Sequence, residues 1–152
     1  MLPIKNILVP TDFSEPSGEG FRQACALAEH FGAVLFVVHV NEPVPTIPAG
    51  HGAVVFDVAD YQNEMEQYAK TRMQEIVSAA EYSSITMTPL MRRGKVAEEI
   101  TAAAEDHDVD MIVMATHGYS GWKKLLLGSV TEKVVRMASV PVLTINAPSE
   151  TA

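Results

Sequence analysis

The sequence predicts a single α/β domain in which a parallel sheet is covered by helices on both faces. Short apolar segments alternate with segments of helical periodicity, and no internal repeat interrupts this order. The apolar segments are hydrophobic at successive positions, as strands buried on both faces are. Such alternation is typical of parallel sheets whose crossover connections are helices.

Composition and charge exclude several classes of protein. The chain has 152 residues, 47% of them hydrophobic, which fits one globular domain at 1–147 with a tail at 148–152. The net charge of −8 argues against a nucleic-acid-binding surface, which needs a basic face. No apolar run approaches the roughly 20 residues of a membrane span, and no signal peptide is evident. We therefore expect a cytoplasmic protein that binds no membrane, with its one cysteine, Cys25, in the core.

Two strands and a helix are predicted at the start of the chain. The first strand is expected at 4–10, and Ser14 or Ser17 can cap the following helix, which ends at Gly32. The second strand is expected at 33–40. The inward face of the helix is predicted to consist of Phe21, Ala24, Ala28 and Phe31.

An irregular segment and the longest helix come next. Residues 42–58 are rich in proline and glycine, and such a long loop is a functional lid, an oligomer contact or a tolerated surface segment. The helix is predicted at 60–81. Its apolar residues recur at helical spacing, and we predict core packing for Tyr61, Met65, Tyr68, Met73, Ile76 and Ala80.

The second half continues the alternation. A third strand is predicted at 85–91, and Pro89 indicates that it is an edge strand. The remaining elements are a helix at 95–106, a strand at 111–115, a glycine-containing loop at 116–127, a helix at 130–138 and a last strand at 142–145.

The loops after the first, second and fourth strands are expected to meet, because ligands bind beyond the carboxyl ends of parallel strands. The last of these loops leads through Gly128 into a helix, whose first N–H groups lack intrahelical partners and attract anions. Gly128 permits close approach of a phosphate, Ser129 can cap the helix or offer its hydroxyl, and Thr131 adds another hydroxyl. The predicted ligand is a nucleotide, with ATP as the first choice.

Several separated segments resemble the universal stress protein family, and together they cover nearly the whole chain. In chain order they are KNILVPTDFS, VVHV, RRGKVAEEI and DVDMIVMATHGYSGWKKLLLGSVTEKVVRMASVPVLTI. The resemblance implies a nucleotide-binding α/β fold with five parallel strands in the order 3-2-1-4-5. It also implies a homodimer formed through the last strand, Val140 to Asn146, whose edge is open to pairing.

The resemblance further implies which residues bind nucleotide. ATP-binding members share a Gly, two residues, a second Gly, nine residues and then Gly-Ser or Gly-Thr; Ala115 stands at the first glycine. A methyl group there could crowd the ligand or forbid a positive φ. The implied base and ribose contacts are Pro10, Thr11, Asp12, Val40, Met114 and Ala115, and the implied phosphate contacts are Gly118, Gly128, Ser129, Val130 and Thr131.

Single residues at this site have more than one interpretation. Asp12 is either a ribose or metal partner or a turn carboxylate, and His117 is either an acid–base group or a solvent-facing loop residue. Lys123 and Lys124 either offset phosphate charge or are solvated. His39, inside the second strand, is interpreted as a satisfied histidine of the core or of the strand end.

The sequence favours a binding module over an enzyme. It contains no P-loop, no Rossmann glycine fingerprint and no evident Ser-His-Asp set, so at most slow ATP hydrolysis is expected. The expected ligand is ATP with Mg²⁺, from which the sequence does not separate AMP or a cyclic adenine nucleotide. The alternative is a nucleotide-free dimeric interaction protein of the same fold.

Overall fold

Five parallel strands form one sheet in the computed structural model, which describes residues 3–44, 58–116 and 128–146. The order β3-β2-β1-β4-β5 confirms the prediction. The central strand β1 pairs with β2 on one side and with β4 on the other, so the strand order reverses there. The strands are β1 (Asn6–Pro10), β2 (Val34–Asn41), β3 (Met87–Arg93), β4 (Met111–Ala115) and β5 (Val142–Ile145).

Four α-helices cover the two faces of the sheet: α1 (Glu15–Phe31), α2 (Val58–Val77), α3 (Val96–Asp106) and α4 (Ser129–Met137). Helices α1 and α2 pack on one face, over a cluster that includes Ile7, Val9 and Val37. Helices α3 and α4 pack on the other face, over a cluster that includes Leu8 and Ile112. The sheet is therefore buried on both sides, as its continuous hydrophobic strands predict.

Helix α1 begins and ends as the sequence predicts. Ser14 is the N-cap and its hydroxyl accepts the N–H of Ser17 at 3.3 Å, so the cap is Ser14 and not Ser17. Gly32 adopts a left-handed conformation with φ 63° and closes the carboxyl end. Phe31, predicted to face inward, is instead 40% exposed.

Helix α2 contradicts the predicted core stripe in its first part and confirms it at Met73 and Ile76, which pack in the core. Tyr61, Met65 and Tyr68 are exposed by 39%, 42% and 53%, and the buried residues of the helix are Ala69 and Met73. In the first part of the helix, the residues that face the sheet come one sequence position after the predicted ones, as Ala69 does after Tyr68. The large apolar residues of the predicted face therefore stay at the surface. The helix also ends at Val77 instead of at residue 81, and a separate 3-10 turn covers Ala80–Tyr82.

Strand bounds differ from the prediction by up to two residues. The carboxylate of Asp110 accepts the N–H groups of Lys5 and Asn6 at 2.7 and 2.9 Å, so β1 starts at Asn6. These two hydrogen bonds hold the pKa of Asp110 below its usual range. Strand β3 is an edge strand, as Pro89 indicates.

Four segments of the sequence lie outside the described residues: 1–2, 45–57, 117–127 and 147–152. They contain most of the proline-rich segment, most of the glycine loop and the predicted tail. In the part of the chain that the structure describes, no helix is long and apolar enough to cross a membrane.

Candidate functional site

The carboxyl ends of β1, β2 and β4 and the N-terminus of α4 lie together, as predicted. The N–H of Thr11 donates to the carbonyl of Val38 at 2.9 Å, which joins the ends of β1 and β2. The hydroxyl of Thr131 donates to the carbonyl of Ala115 at 3.0 Å, which joins α4 to the end of β4. The N–H of Gly128 donates to the carbonyl of Thr116 at 2.7 Å and joins the two ends of the glycine loop.

The turn after β1 is held by a network of hydroxyl groups. The hydroxyl of Thr11 accepts the N–H of Phe13 at 3.0 Å and lies 3.2 Å from the hydroxyl of Ser17. The hydroxyl of Ser17 lies 2.9 Å from the carbonyl of Ser14, to which it can donate. Thr11, Ser14 and Ser17 are all buried, so the network satisfies polar groups that water does not reach. It fixes the position of Asp12, which follows directly on β1.

The carboxylate of Asp12 is exposed and partly engaged within the turn. Its Oδ1 atom accepts both the N–H and the hydroxyl of Ser14. Within the described residues, Oδ2 has no hydrogen-bond partner. Asp12 thus acts as a turn carboxylate through Oδ1, as one of the two interpretations predicts.

Val40 presents main-chain polar groups beyond the end of β1. In a parallel strand, alternate residues direct their N–H and C=O to the same neighbour. The carbonyl of Val38 faces β1 and that of Asn41 faces β3, so the N–H and C=O of Val40 face the β1 side. Strand β1 ends at Pro10, which pairs with Val38, and this leaves a hydrogen-bonding edge at Val40.

The methyl group of Ala115 is turned toward α1. A Cβ placed on Gly20 of α1 would lie 3.1 Å from the main-chain N of Ala115 and 3.7 Å from its Cβ. Helix α4 covers the opposite face of the sheet. Among the described residues, positive φ values occur at Phe13, Gly32, Gly94 and Asp108, so Ala115 does not adopt one. Met114 is buried and faces the cluster under α3 and α4.

The N-terminus of α4 excludes one of the two roles that the sequence offers for Ser129, that of the helix cap. The N-cap is Gly128, no side chain caps the helix, and Ser129 is its exposed first residue. The first intrahelical bond runs from the N–H of Glu132 to the carbonyl of Gly128. The N–H groups of Ser129, Val130 and Thr131 precede it, and the described part of the chain contains no acceptor for them.

Thr131 has a different position from the other predicted phosphate contacts. It is 3% exposed, and its hydroxyl hydrogen is used by the carbonyl of Ala115. The side chain of Thr131 therefore holds α4 against the end of β4. Its main-chain N–H lies in the first turn of α4, which no side chain caps. Gly118, His117, Lys123 and Lys124 lie outside the described residues.

Sequence reasoning assigned no site role to Gly20, Phe13 or His39. A glycine inside a helix signals close approach of another backbone, and at Gly20 that backbone is the end of β4. His39 is half-buried and its Nδ1 lies 2.8 Å from the carbonyl of Thr11, which confirms it as a satisfied strand-end histidine. Phe13 stacks on the His39 ring at a centroid distance of 4.5 Å.

The fold defines a doubly wound α/β protein, with a candidate ligand site where the strand order reverses. A family model described as the universal stress protein family matches residues 3–146. The chain belongs to the universal stress protein family.

Relatives and solved structures resemble the chain over nearly its full length. A universal stress protein of Thermus aquaticus is 36% identical over 146 residues, which span 91% of this chain and 96% of that protein. Universal stress protein MJ0577 of Methanocaldococcus jannaschii is 30% identical over 152 residues, 93% of this chain and 94% of its own. The structure of the universal stress protein UspA from Lactobacillus plantarum superposes with a TM-score of 0.81 at 25% identity, covering 94% and 98% of the two chains.

Proposed function

We propose that this universal stress protein is an adenine-nucleotide-binding module, with ATP as its ligand. The observation that carries the proposal is the uncapped N-terminus of α4, where three N–H groups lie next to the end of β4. Such groups, with the partial positive charge of the helix end, hold phosphate without basic side chains. This suits a chain whose net charge is −8.

The proposed base and ribose contacts lie at the ends of β1 and β2. The main-chain N–H and C=O of Val40 match the donor and acceptor pattern of an adenine edge, and the free oxygen of Asp12 suits a ribose hydroxyl. In this proposal Pro10 and Thr11 shape the wall of this part of the site, and the main chain of Met114 and Ala115 lines its floor. Ala115 stands at the first glycine of the motif, and its methyl group points toward α1. The methyl group therefore does not point toward α4, where the phosphates are proposed to bind.

Two distant members of the fold support adenine nucleotides as the ligand class. One universal stress protein was solved in complex with cAMP and superposes with a TM-score of 0.67. Another, from Archaeoglobus fulgidus, was solved in complex with dAMP and superposes with a TM-score of 0.66. Both are 20% identical to this chain, so they support the fold and the plausibility of the ligand class.

We propose that Mg²⁺ enters together with the triphosphate. Within the described residues, no three His, Cys, Asp or Glu side chains lie close enough to hold a metal. Mg²⁺ retains several waters and is commonly held through substrate phosphates, so a site built by the protein is not required.

The proposed role is that of a cytoplasmic sensor or switch in the stress response. Nucleotide binding at the end of β4 would bias contacts with a second copy or another protein, and β5 is the proposed dimer edge. No catalytic base or nucleophile is assigned, and at most slow ATP hydrolysis is proposed. If the protein hydrolysed ATP and replacement of Asp12 or His117 abolished the hydrolysis, the alternative of a hydrolase would be favoured.

A melting curve with ATP tests the proposal. At about 100-fold excess over its dissociation constant, a ligand adds ~2.7 kcal/mol of stability, or several degrees in Tm. Gly128→Val should lower the Tm of the free protein by a few degrees, because valine is a poor N-cap residue. It should also lose the shift with ATP, because its side chain is expected to obstruct the approach of the phosphates. Ser139→Val, at the other end of α4, is the matched control and should keep the shift.

The alternative is a nucleotide-free dimeric interaction protein, favoured by the departure from the motif at Ala115. It predicts that the wild-type Tm does not change with millimolar ATP, AMP or cAMP. That result would reject nucleotide binding and leave the dimer to be tested by itself.

A further inference from the structure

We propose that His39 is a positioning residue that keeps the main-chain edge of Val40 open for the base of the nucleotide. This inference rests on the proposed function, since it concerns the same site. It arises from one departure from regular pairing between β1 and β2, at the point where β1 ends.

Regular parallel pairing predicts a hydrogen bond that the structure lacks. The N–H of Thr11 donates to the carbonyl of Val38, and the next bond of the ladder would run from the N–H of Val40 to the carbonyl of Thr11. That carbonyl is instead met by Nδ1 of His39 at 2.8 Å. The imidazole thus bonds to the oxygen with which Val40 would pair in a regular ladder, and the N–H of Val40 does not use the second lone pair of that oxygen.

The hydrogen on the imidazole follows from its partner. A carbonyl oxygen only accepts hydrogen bonds, so Nδ1 of His39 carries the hydrogen and donates it to Thr11. The donor is present in both the neutral and the protonated ring, so the device does not depend on the charge of His39.

Phe13 fixes the orientation of this ring. Its side chain stacks on His39 with an interplanar angle of 28°, and Tyr68 of α2 meets Phe13 edge-on at 6.3 Å. The backbone of Phe13 has φ 63°, an uncommon value for a bulky residue. The hydroxyl of Thr11, which accepts the N–H of Phe13, helps to hold that conformation.

Two substitutions separate the contribution of the hydrogen-bond donor of His39 from that of its aromatic ring. His39→Asn places an amide N–H near the position of Nδ1 and removes the ring, so it should keep Thr11 engaged. His39→Phe keeps an aromatic ring against Phe13 and removes the donor, so the Thr11 carbonyl becomes free to pair with Val40. His30→Phe, at an exposed histidine near the end of α1, is the control.

Amide hydrogen exchange by NMR on the nucleotide-free protein tests the inference directly. In the wild type, Val40 should exchange about 100 times faster than Val38, whose N–H lies inside the β1–β2 ladder. His39→Phe should slow exchange at Val40 about tenfold or more, whereas His39→Asn and His30→Phe should not. Protection at Val40 equal to that at Val38 in the wild type would overturn the inference.

Calorimetric titration with ATP and AMP completes the test. His39→Phe should weaken binding about tenfold, while His39→Asn and the control should stay near the wild-type affinity. Unchanged affinity in His39→Phe, or equal losses in both His39 variants, would overturn the positioning role. If the wild type binds neither nucleotide, the proposed function fails, and the exchange rates still decide whether His39 keeps Val40 open.

Discussion

At the scale of single residues, the site depends on small groups in close contact. Gly20 lets α1 lie against the end of β4, and Ala115 turns its methyl into this contact.

The thiol of Cys25 is buried in the same face of the sheet, and burial raises its pKa to about 12, so it has no role as a nucleophile at neutral pH.

Gly20→Ala tests this contact. The added Cβ would meet the main-chain N of Ala115 at 3.1 Å, so helix or strand must shift. Overpacking of this kind costs roughly 1–3 kcal/mol, of which the higher helix propensity of alanine offsets about 0.5–1 kcal/mol, and the shift should also weaken nucleotide binding. Chemical denaturation and calorimetry measure the two effects.

Gly18→Ala is the matched control, since its Cβ would come no nearer than 3.8 Å to the end of the Arg22 side chain. An alanine in an open helical position should stabilise α1 by about 0.5–1 kcal/mol. If both variants behaved alike, the close approach at Ala115 would have no energetic importance.

At the scale of elements, α4 carries the phosphate proposal and β5 carries the dimer proposal. The carbonyl of Pro141 accepts the N–H of Ile112 in β4, and the carbonyl of Ile145 accepts the N–H of Thr116, which directly follows β4. The main-chain groups of Val142 and Thr144 therefore point to the open edge of the sheet. Leu143 is 39% exposed beside this edge. An open edge with an apolar neighbour invites pairing with another strand.

Thr144→Pro should weaken a dimer formed through β5. Proline removes an N–H that points away from β4 and leaves the β4–β5 ladder in place. Thr144→Val, which keeps the N–H, is the control. Sedimentation velocity should show mainly monomer for the proline variant and dimer for the wild type and control; a dimer in all three would place the interface elsewhere.

The elements were predictable from the sequence to different degrees. The bounds of β4 and β5 follow from apolar runs between clear breaks, and the sheet order followed from the family resemblance. The sequence did not predict which side of α2 faces the sheet, because the exposed Tyr61 and Met65 have side chains as apolar as those usually found in a core. The contact between His39 and Thr11 depends on strand register, which the sequence does not specify at that point.

At the scale of the whole molecule, an acidic protein is proposed to hold a highly charged anion. Its charge of −8 repels a triphosphate at long range, so binding depends on local donors. The strand order places the ends of β1, β2 and β4 next to the N-terminus of α4, and the described structure supplies main-chain groups at both ends of the proposed ligand. The N–H groups at the start of α4 are therefore proposed to hold the phosphates.

Calorimetric titration with ATP of two variants, Ser129→Pro and Ser129→Ala, tests whether a helix N–H group holds the phosphates. Proline is favoured at the first position of a helix, and Gly128 has ψ 150°, which a following proline requires. The proline variant loses one N–H and the hydroxyl, and the alanine variant loses only the hydroxyl. With unchanged Tm in the free protein, Ser129→Pro should bind ATP at least about tenfold more weakly than Ser129→Ala. Equal affinities of the two variants would contradict the claim.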